Sequence, residues 1–218
     1  MDLDRLLTPA DRERIEEAAR RAETHTSGEI VPYLVAACDD YDDACWKAGA
    51  LGAMLLALVA GATHQLGGFW AGWSLAWISL PAFVGAAAGY VTARCVAPVR
   101  RWLVPSDVLE LRVRRRAMTA FVEDEVFATR DRTGILLFVA LFERRVVVLG
   151  DAGINRAVDP GEWTSIVDTL TRQIRGRRLV DGLVEAIEAC GELLVRHRLD
   201  IRPDDTDELS NEPRIRER

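Results

Sequence analysis

From Ala48 to Ala93 the chain runs for 46 residues without an Asp, Glu, Lys or Arg. One bilayer-spanning helix needs about 20 mainly apolar residues. The window therefore holds two, with Thr63-His64-Gln65-Leu66-Gly67-Gly68 as the polar, glycine-containing turn between them. The expectation is a two-helix transmembrane hairpin embedded in a lipid bilayer, with spans at about residues 44–62 and 73–93 inside a segment 44–103. The competing reading is a hairpin buried in a soluble core. That reading needs other apolar elements as cover, and the rest of the chain has a core of its own to fill. Trp46, Trp70, Trp73 and Trp102 fall near the expected span ends, where amphipathic rings favour the lipid–water interface. Gly85 and Gly89 are four residues apart, a spacing that lets helix backbones approach closely. They are expected either to pack the two spans together or to join two chains as a homodimer. No ionisable group lies mid-span, so nothing marks an ion path or a transport site.

Orientation follows from Lys and Arg near the span ends. Lys47 precedes the first span, Arg94, Arg100 and Arg101 follow the second, and the turn carries neither residue. Both termini are expected in the cytoplasm of a bacterium, with the hairpin in its inner (cell) membrane. The net charge of −6 and a pI of about 5.2 exclude the basic footprint of a nucleic-acid binder. Cys38, Cys45, Cys95 and Cys190 are scattered and form no CxxC pair, so a clustered zinc site is not indicated. The start, Met1-Asp2-Leu3-Asp4-Arg5, lacks the basic and apolar regions of a signal peptide.

The charged remainder reads as an α/β domain. Thr8-Pro9-Ala10-Asp11 carries the features of a helix start, and that helix is expected to end near Thr24. Glu29 to Ala36 is strand-like, with Pro32 pointing to an edge or a bulge. Ser106 is positioned to cap a helix reaching about Ala128. Gly134 to Phe142 is a nearly continuous apolar run, as expected of a strand covered on both faces. Arg145 to Leu149 supplies its hairpin partner. Asp159-Pro160-Gly161-Glu162 opens another helix that Gly176 stops, and a last helix is expected from about Leu179 to His197. Residues 1–43 alone are too few for a core. Together with 104–200 they make one discontinuous domain, followed by a charged, mobile tail at 201–218.

Several segments in succession resemble the TPM-domain family, specifically its membrane-associated members. They are Arg21 to Ile30, Phe121 and Thr129 ahead of Arg132-Thr133-Gly134-Ile135, Phe142 to Asp151, Gly153-Ile154, Trp163, and Asp204 to Asn211. The resemblance implies an α/β/α sandwich around a small mixed sheet, here interrupted by the inserted hairpin. Family members are often tied to membranes. One in the thylakoid lumen is associated with acid phosphatase activity and photosystem II repair, and some bind calcium or similar ions.

Carried over to this chain, the family's acidic positions become Asp131 and Asp151, the candidate ligands for calcium or another divalent cation. Glu29, Glu143, Asn155 and Asp159 are candidate neighbours. Such ions need several oxygen ligands. The short loop before Gly134 departs from soluble members by carrying Arg130 and Arg132, whose guanidiniums compete with a cation for Asp131. Asp159 is better explained as a helix cap. Catalytic residues are not identifiable, and no histidine cluster is present. His25, His64 and His197 stand apart from one another. The acidic run Asp204 to Glu208 is a solvated face or a docking segment. The favoured expectation is a membrane-anchored, non-catalytic interaction domain that helps maintain an unidentified membrane protein complex. A divalent-metal-dependent phosphatase is the alternative.

Overall fold

The computed structural model describes residues 7–67, 74–159, 161–176, 178–197 and 208–217. The start of the chain before Leu7, the tip residues Gly68, Trp70 and Trp73, the helix-start Pro160, and residues 201–207 of the tail lie outside them. The chain divides into two compact units, residues 1–39 with 110–218, and residues 40–109.

In chain order the elements are α1 (Pro9–Glu23), β1 (Glu29–Val35), α2 (Asp42–Gly67), α3 (Ser74–Cys95), α4 (Ala97–Trp102), α5 (Ser106–Glu123), β2 (Gly134–Ala140), β3 (Arg145–Gly150), α6 (Ala152–Ala157), α7 (Trp163–Arg175), α8 (Leu179–Arg196) and β4 (Arg214–Arg216). Helix α1 begins with a capping box. The Asp11 N–H donates to Thr8 Oγ1 at 3.2 Å and the Thr8 N–H donates to Asp11 Oδ2 at 3.0 Å. The hydrogen bonds from Thr8 hold the Asp11 carboxyl below its ordinary value.

The first unit is built on a mixed sheet in the order β3-β2-β1-β4. β1 pairs with β2 in parallel over seven positions, from Glu29 opposite Gly134 to Val35 opposite Ala140. β3 returns antiparallel to β2. Alternate side chains then feed two cores. On one face Ile30, Leu34, Ile135, Leu137 and Val139 pack with Ala18, Leu170, Leu183, Ile187 and Leu194 of α1, α7 and α8. On the other, Val31, Tyr33, Leu136 and Phe138 pack with Val113, Ala117 and Ala120 of α5. β1 and β2 are buried at every position, which is why their sequences are continuously apolar. The architecture is an α/β/α sandwich.

Four details depart from the sequence reading. Helix α5 ends at Glu123, before Ala128, because Glu125 takes φ 50° and the Val126 N–H closes back on the Phe121 carbonyl at 3.1 Å. That turn delivers Val126 to the α5-side core. Pro32 sits in a strand with neighbours on both sides. The Ile30 N–H goes to Glu23 Oε1 and the Ala36 N–H to the Arg216 carbonyl, so the even-numbered amides of β1 face the β4 side. β4 starts only opposite Tyr33, and the missing donor at Pro32 falls beyond its end. Third, Arg214–Arg216 belonged to the expected tail but form β4, which covers that edge. Finally, α7 starts at Trp163, with Glu162 at the N-cap position but no side-chain cap bond; Asp159 Oδ1 accepts the Gly161 N–H in the turn before it.

The second unit is a helical hairpin. α2 and α3, at 26 and 22 residues, are about 39 and 33 Å long at 1.5 Å per residue. Both are long and apolar enough to cross a membrane. The expected turn residues Thr63 to Gly67 continue α2 as helix. The two helices pack through small residues: a Cβ at Gly52 would overlap the Gly85 carbonyl, and one at Gly89 would overlap the Ala48 carbonyl. Gly85 and Gly89 thus lie in the contact between α2 and α3. Only 22% and 6% of the two apolar windows is buried. Leu55, Leu58, Leu80 and Phe83 point outward, and the described residues of this unit leave them uncovered. At the open end Arg94 pairs with Asp42 at 2.9 Å and Lys47 with Asp43 at 3.4 Å, beside Trp46 and Tyr90 with ring centroids 5.1 Å apart.

Two outcomes follow from this packing. Gly85→Val is expected to destabilise the hairpin by about 1–3 kcal/mol through overpacking, measured by thermal unfolding in detergent. Glu162 bonds His197 at 2.9 Å, and that bond chiefly holds its carboxyl below the ordinary value. The stabilisation is present above the unfolded value near pH 4.3 and lost as pH falls through the lower folded value. The stability difference between the wild type and Glu162→Gln should therefore shrink below about pH 4.3, as read from denaturant midpoints across pH.

Candidate functional site

The N-terminal ends of β1 and β2 and the C-terminal end of β3 meet at one end of the sheet. Three loops converge there: the turn Thr26-Ser27-Gly28 before β1, the loop Thr129 to Thr133 before β2, and the β3–α6 junction at Asp151. Threonines tie them together. The Thr133 N–H donates to Thr129 Oγ1 at 2.9 Å, and Thr133 Oγ1 donates to the Ser27 carbonyl at 2.8 Å. Arg132 takes φ 59°, a conformation that costs a non-glycine residue energy and persists only where neighbours enforce it. The enforcing contact is Gly153, whose N–H donates to the Arg132 carbonyl at 2.8 Å. A Cβ at Gly153 would strike the carbonyls of both Asp131 and Arg132.

This arrangement brings the Asp131 loop against the Asp151 junction, with Arg132 between them. Asp151 is buried at 6% exposure, and the half-exposed Arg132 lies over it. Arg132 Nε is 2.6 Å from Asp151 Oδ2, and Arg132 Nη2 donates to Oδ1 at 3.1 Å. Oδ1 also accepts the Ala152 N–H at 2.7 Å, making Asp151 the cap of α6. The guanidinium stacks over Phe127 at 5.4 Å. The two-pronged pair and the cap together explain how a carboxylate sits so deep.

The remaining expected neighbours divide. Glu29 is at this end, where its Oε1 accepts the Glu208 N–H at 3.2 Å. Asn155 is also here, with Nδ2 donating to the Gly150 carbonyl at 2.6 Å. Glu143 is at the opposite end of the sheet, accepting the Cys38 N–H at 2.8 Å. Asp159 lies beyond α6. The sequence reading did not anticipate Glu208, whose carboxylate accepts the Arg130 N–H at 2.9 Å. It stands at the end of an acidic run that reads locally as solvated, and its partners are 78 and 179 residues away in sequence.

As they stand, these residues do not fit a divalent cation. The Asp151 oxygens are engaged by a guanidinium and an amide. Among the described residues, moreover, no three His, Cys, Asp or Glu side chains gather as ligands. Cation binding would require Arg132 to leave. The thiols of Cys38 and Cys190 offer no alternative chemistry. Burial pushes Cys190 up to about 12, and burial followed by the Glu143 charge pushes Cys38 well up, so neither supplies a thiolate near neutrality.

Residues 106–193 match the family model described as TPM domain. The chain is similar over the whole fold to BA42 protein from the psychrophilic bacterium Bizionia argentinensis, solved by NMR. The TM-score is 0.58 at 22% identity, covering 96% of this chain and 94% of that one. No functionally curated protein matches it.

Two experiments probe the site. Gly153→Ala should cost about 1–3 kcal/mol, because backbone and not a flexible side chain receives the new methyl; chemical denaturation reads it. Adding calcium to the full chain should leave its melting temperature unchanged, since Arg132 already neutralises Asp151. A rise that Asp151→Asn removes would instead put the ion there.

Proposed function

We propose that the chain, whose residues 106–193 match the TPM domain, is a membrane-anchored interaction protein that helps maintain a membrane protein complex without catalysis of its own. The observation that carries this reading is the hairpin's outer surface. Leu51, Leu55, Leu58, Leu80 and Phe83 are exposed along two helices that approach one another closely at small residues. Leaving such a surface in water is costly, and monomeric soluble proteins rarely do so. Lipid is its natural cover. Trp46 and Trp102, strongly exposed at the open end with Lys47, Arg94, Arg100 and Arg101, suit the interface at which aromatic rings and basic side chains collect. With the basic residues at the open end and none in the intervening turn, both termini face the cytoplasm of a bacterial inner membrane.

The non-catalytic part of the reading rests on the Arg132–Asp151 pair. A phosphatase working through a metal-bound water needs carboxylates available to the metal and cations available to the phosphate. Here the buried carboxylate and the nearest cation occupy each other. The alternative, a divalent-metal-dependent phosphatase, requires that pair to open.

A photo-crosslinking amino acid placed at exposed positions of the α/β unit tests the reading in intact membranes. The expected result is recurrent adducts with particular membrane proteins, with a C-terminal reporter active on the cytoplasmic side. Release of phosphate from p-nitrophenyl phosphate by the purified full chain, abolished by Asp151→Asn, would establish the alternative instead.

A further inference from the structure

β3 is an outer strand of the sheet. The Asp151 N–H donates to the Gly134 carbonyl at 2.9 Å. In an antiparallel ladder, bonded and non-bonded pairs alternate. With Ile135 opposite Gly150 and Val139 opposite Val146, the amides and carbonyls of Val147 and Leu149 therefore bond β2. Those of Val146, Val148 and Gly150 point the other way. One of these groups is already satisfied: Asn155 Nδ2 donates to the Gly150 carbonyl at 2.6 Å, a side-chain amide standing where a neighbouring strand's amide would be. Beyond Asn155, the N–H and C=O of Val146 and Val148 face a groove of about 710 Å³.

The groove's walls continue the sandwich past its last strand. α7 contributes Trp163, Val167 and Thr171 on one side, and α5 contributes Val113 and Arg114 on the other. An extended segment lying against β3 would direct alternate side chains toward these two walls. The lining carries four arginines, Arg114, Arg144, Arg145 and Arg175, against the carboxylates of Glu110 and Asp168, in a chain whose net charge is −6. Such an excess of cations protects the edge from a second copy of itself, which would bring the same arginines. It favours an acidic strand.

We propose that the free edge of β3 is a docking strand for an extended, acidic segment of a partner protein, added to the sheet by main-chain hydrogen bonds at Val146 and Val148. Sheet extension gives affinity through the backbone, and the flanking side chains give selectivity. This rests on the reading of the chain as an interaction protein and names the surface and the chemistry of that interaction.

The test uses the full chain in lipid nanodiscs and three synthetic decapeptides. The first alternates Val with Asp, the second replaces Asp by Lys, and the third is the Asp peptide with alternate amides N-methylated. The Asp peptide should slow hydrogen exchange at the Val146 and Val148 amides on the order of tenfold, a loss of exposure comparable to one or two hydrogen bonds. The Lys and N-methylated peptides should leave both unchanged. Val148→Pro removes an outward-facing donor that bonds none of the described residues, a position where an edge strand tolerates proline. It should weaken the Asp peptide about tenfold without moving the melting temperature. Should that variant fail to fold, the N-methylated peptide against the wild type decides alone. Equal binding of the N-methylated or Lys peptide, protection confined to other amides, no binding, or pairing of β3 with a second copy would each overturn the proposal. A crosslinker at Thr171 and another at Glu17, on α1, separate this failure from failure of the broader reading. Adducts only from Glu17 defeat the β3 edge alone, whereas adducts from neither position defeat the interaction role itself.

Discussion

Seven residues of β1 lie in parallel register beside seven of β2, and every other feature of the α/β unit depends on that pairing. Parallel neighbours cannot be joined by a tight turn; they need a crossover long enough to return the chain to the same end of the sheet. Here α5 is the crossover, packed by Val113, Ala117 and Ala120 against the sheet face it crosses. The apolar hairpin is inserted between β1 and α5. Both ends of the insertion belong to one sheet, so an even number of spans is required if the hairpin crosses a bilayer. α2 and α3 meet that condition.

The same pairing sets the fate of the two edges. β4 arrives from the end of the chain and covers β1 over Tyr33 to Val35, while Glu208, just before it, ties Arg130 to Glu29 across the sheet's end. β3 has Asn155 at one end of its outer edge and main-chain groups facing a groove along the rest. The two edges are therefore chemically unlike. One is closed by the chain itself, and the other keeps hydrogen-bonding capacity flanked by arginines.

Much of this was legible in the residues. The uncharged window marked both long helices, and the apolar runs marked β1, β2 and β3. Thr8 and Asp11 marked the start of α1, since capping is a local rule that no distant contact overrides. What escaped were consequences of distance. Arg214-Ile215-Arg216 alternates over too few residues to stand out from the tail; it is a strand only because β1 offers it an edge. Thr63 to Gly67 reads as a turn by its polar and glycine content, but in an apolar hairpin the backbone bonds outweigh those weak preferences. Asp151 was recognised as a special carboxylate from the family resemblance. Its partner is Arg132, from the loop that also carries Asp131. The left-handed turn at Arg132, which aims the guanidinium, depends on Gly153 lying against it, and no local pattern announces that contact.

The proposed role depends on the hairpin being held by lipid. Native membranes containing the full chain can be washed at alkaline pH, which strips peripheral proteins and leaves integral ones in the pellet. A lipid-held hairpin keeps the chain in the membrane pellet. Recovery of the intact chain in the supernatant would contradict it, and would mean that the exposed leucines and Phe83 of α2 and α3 are covered by protein.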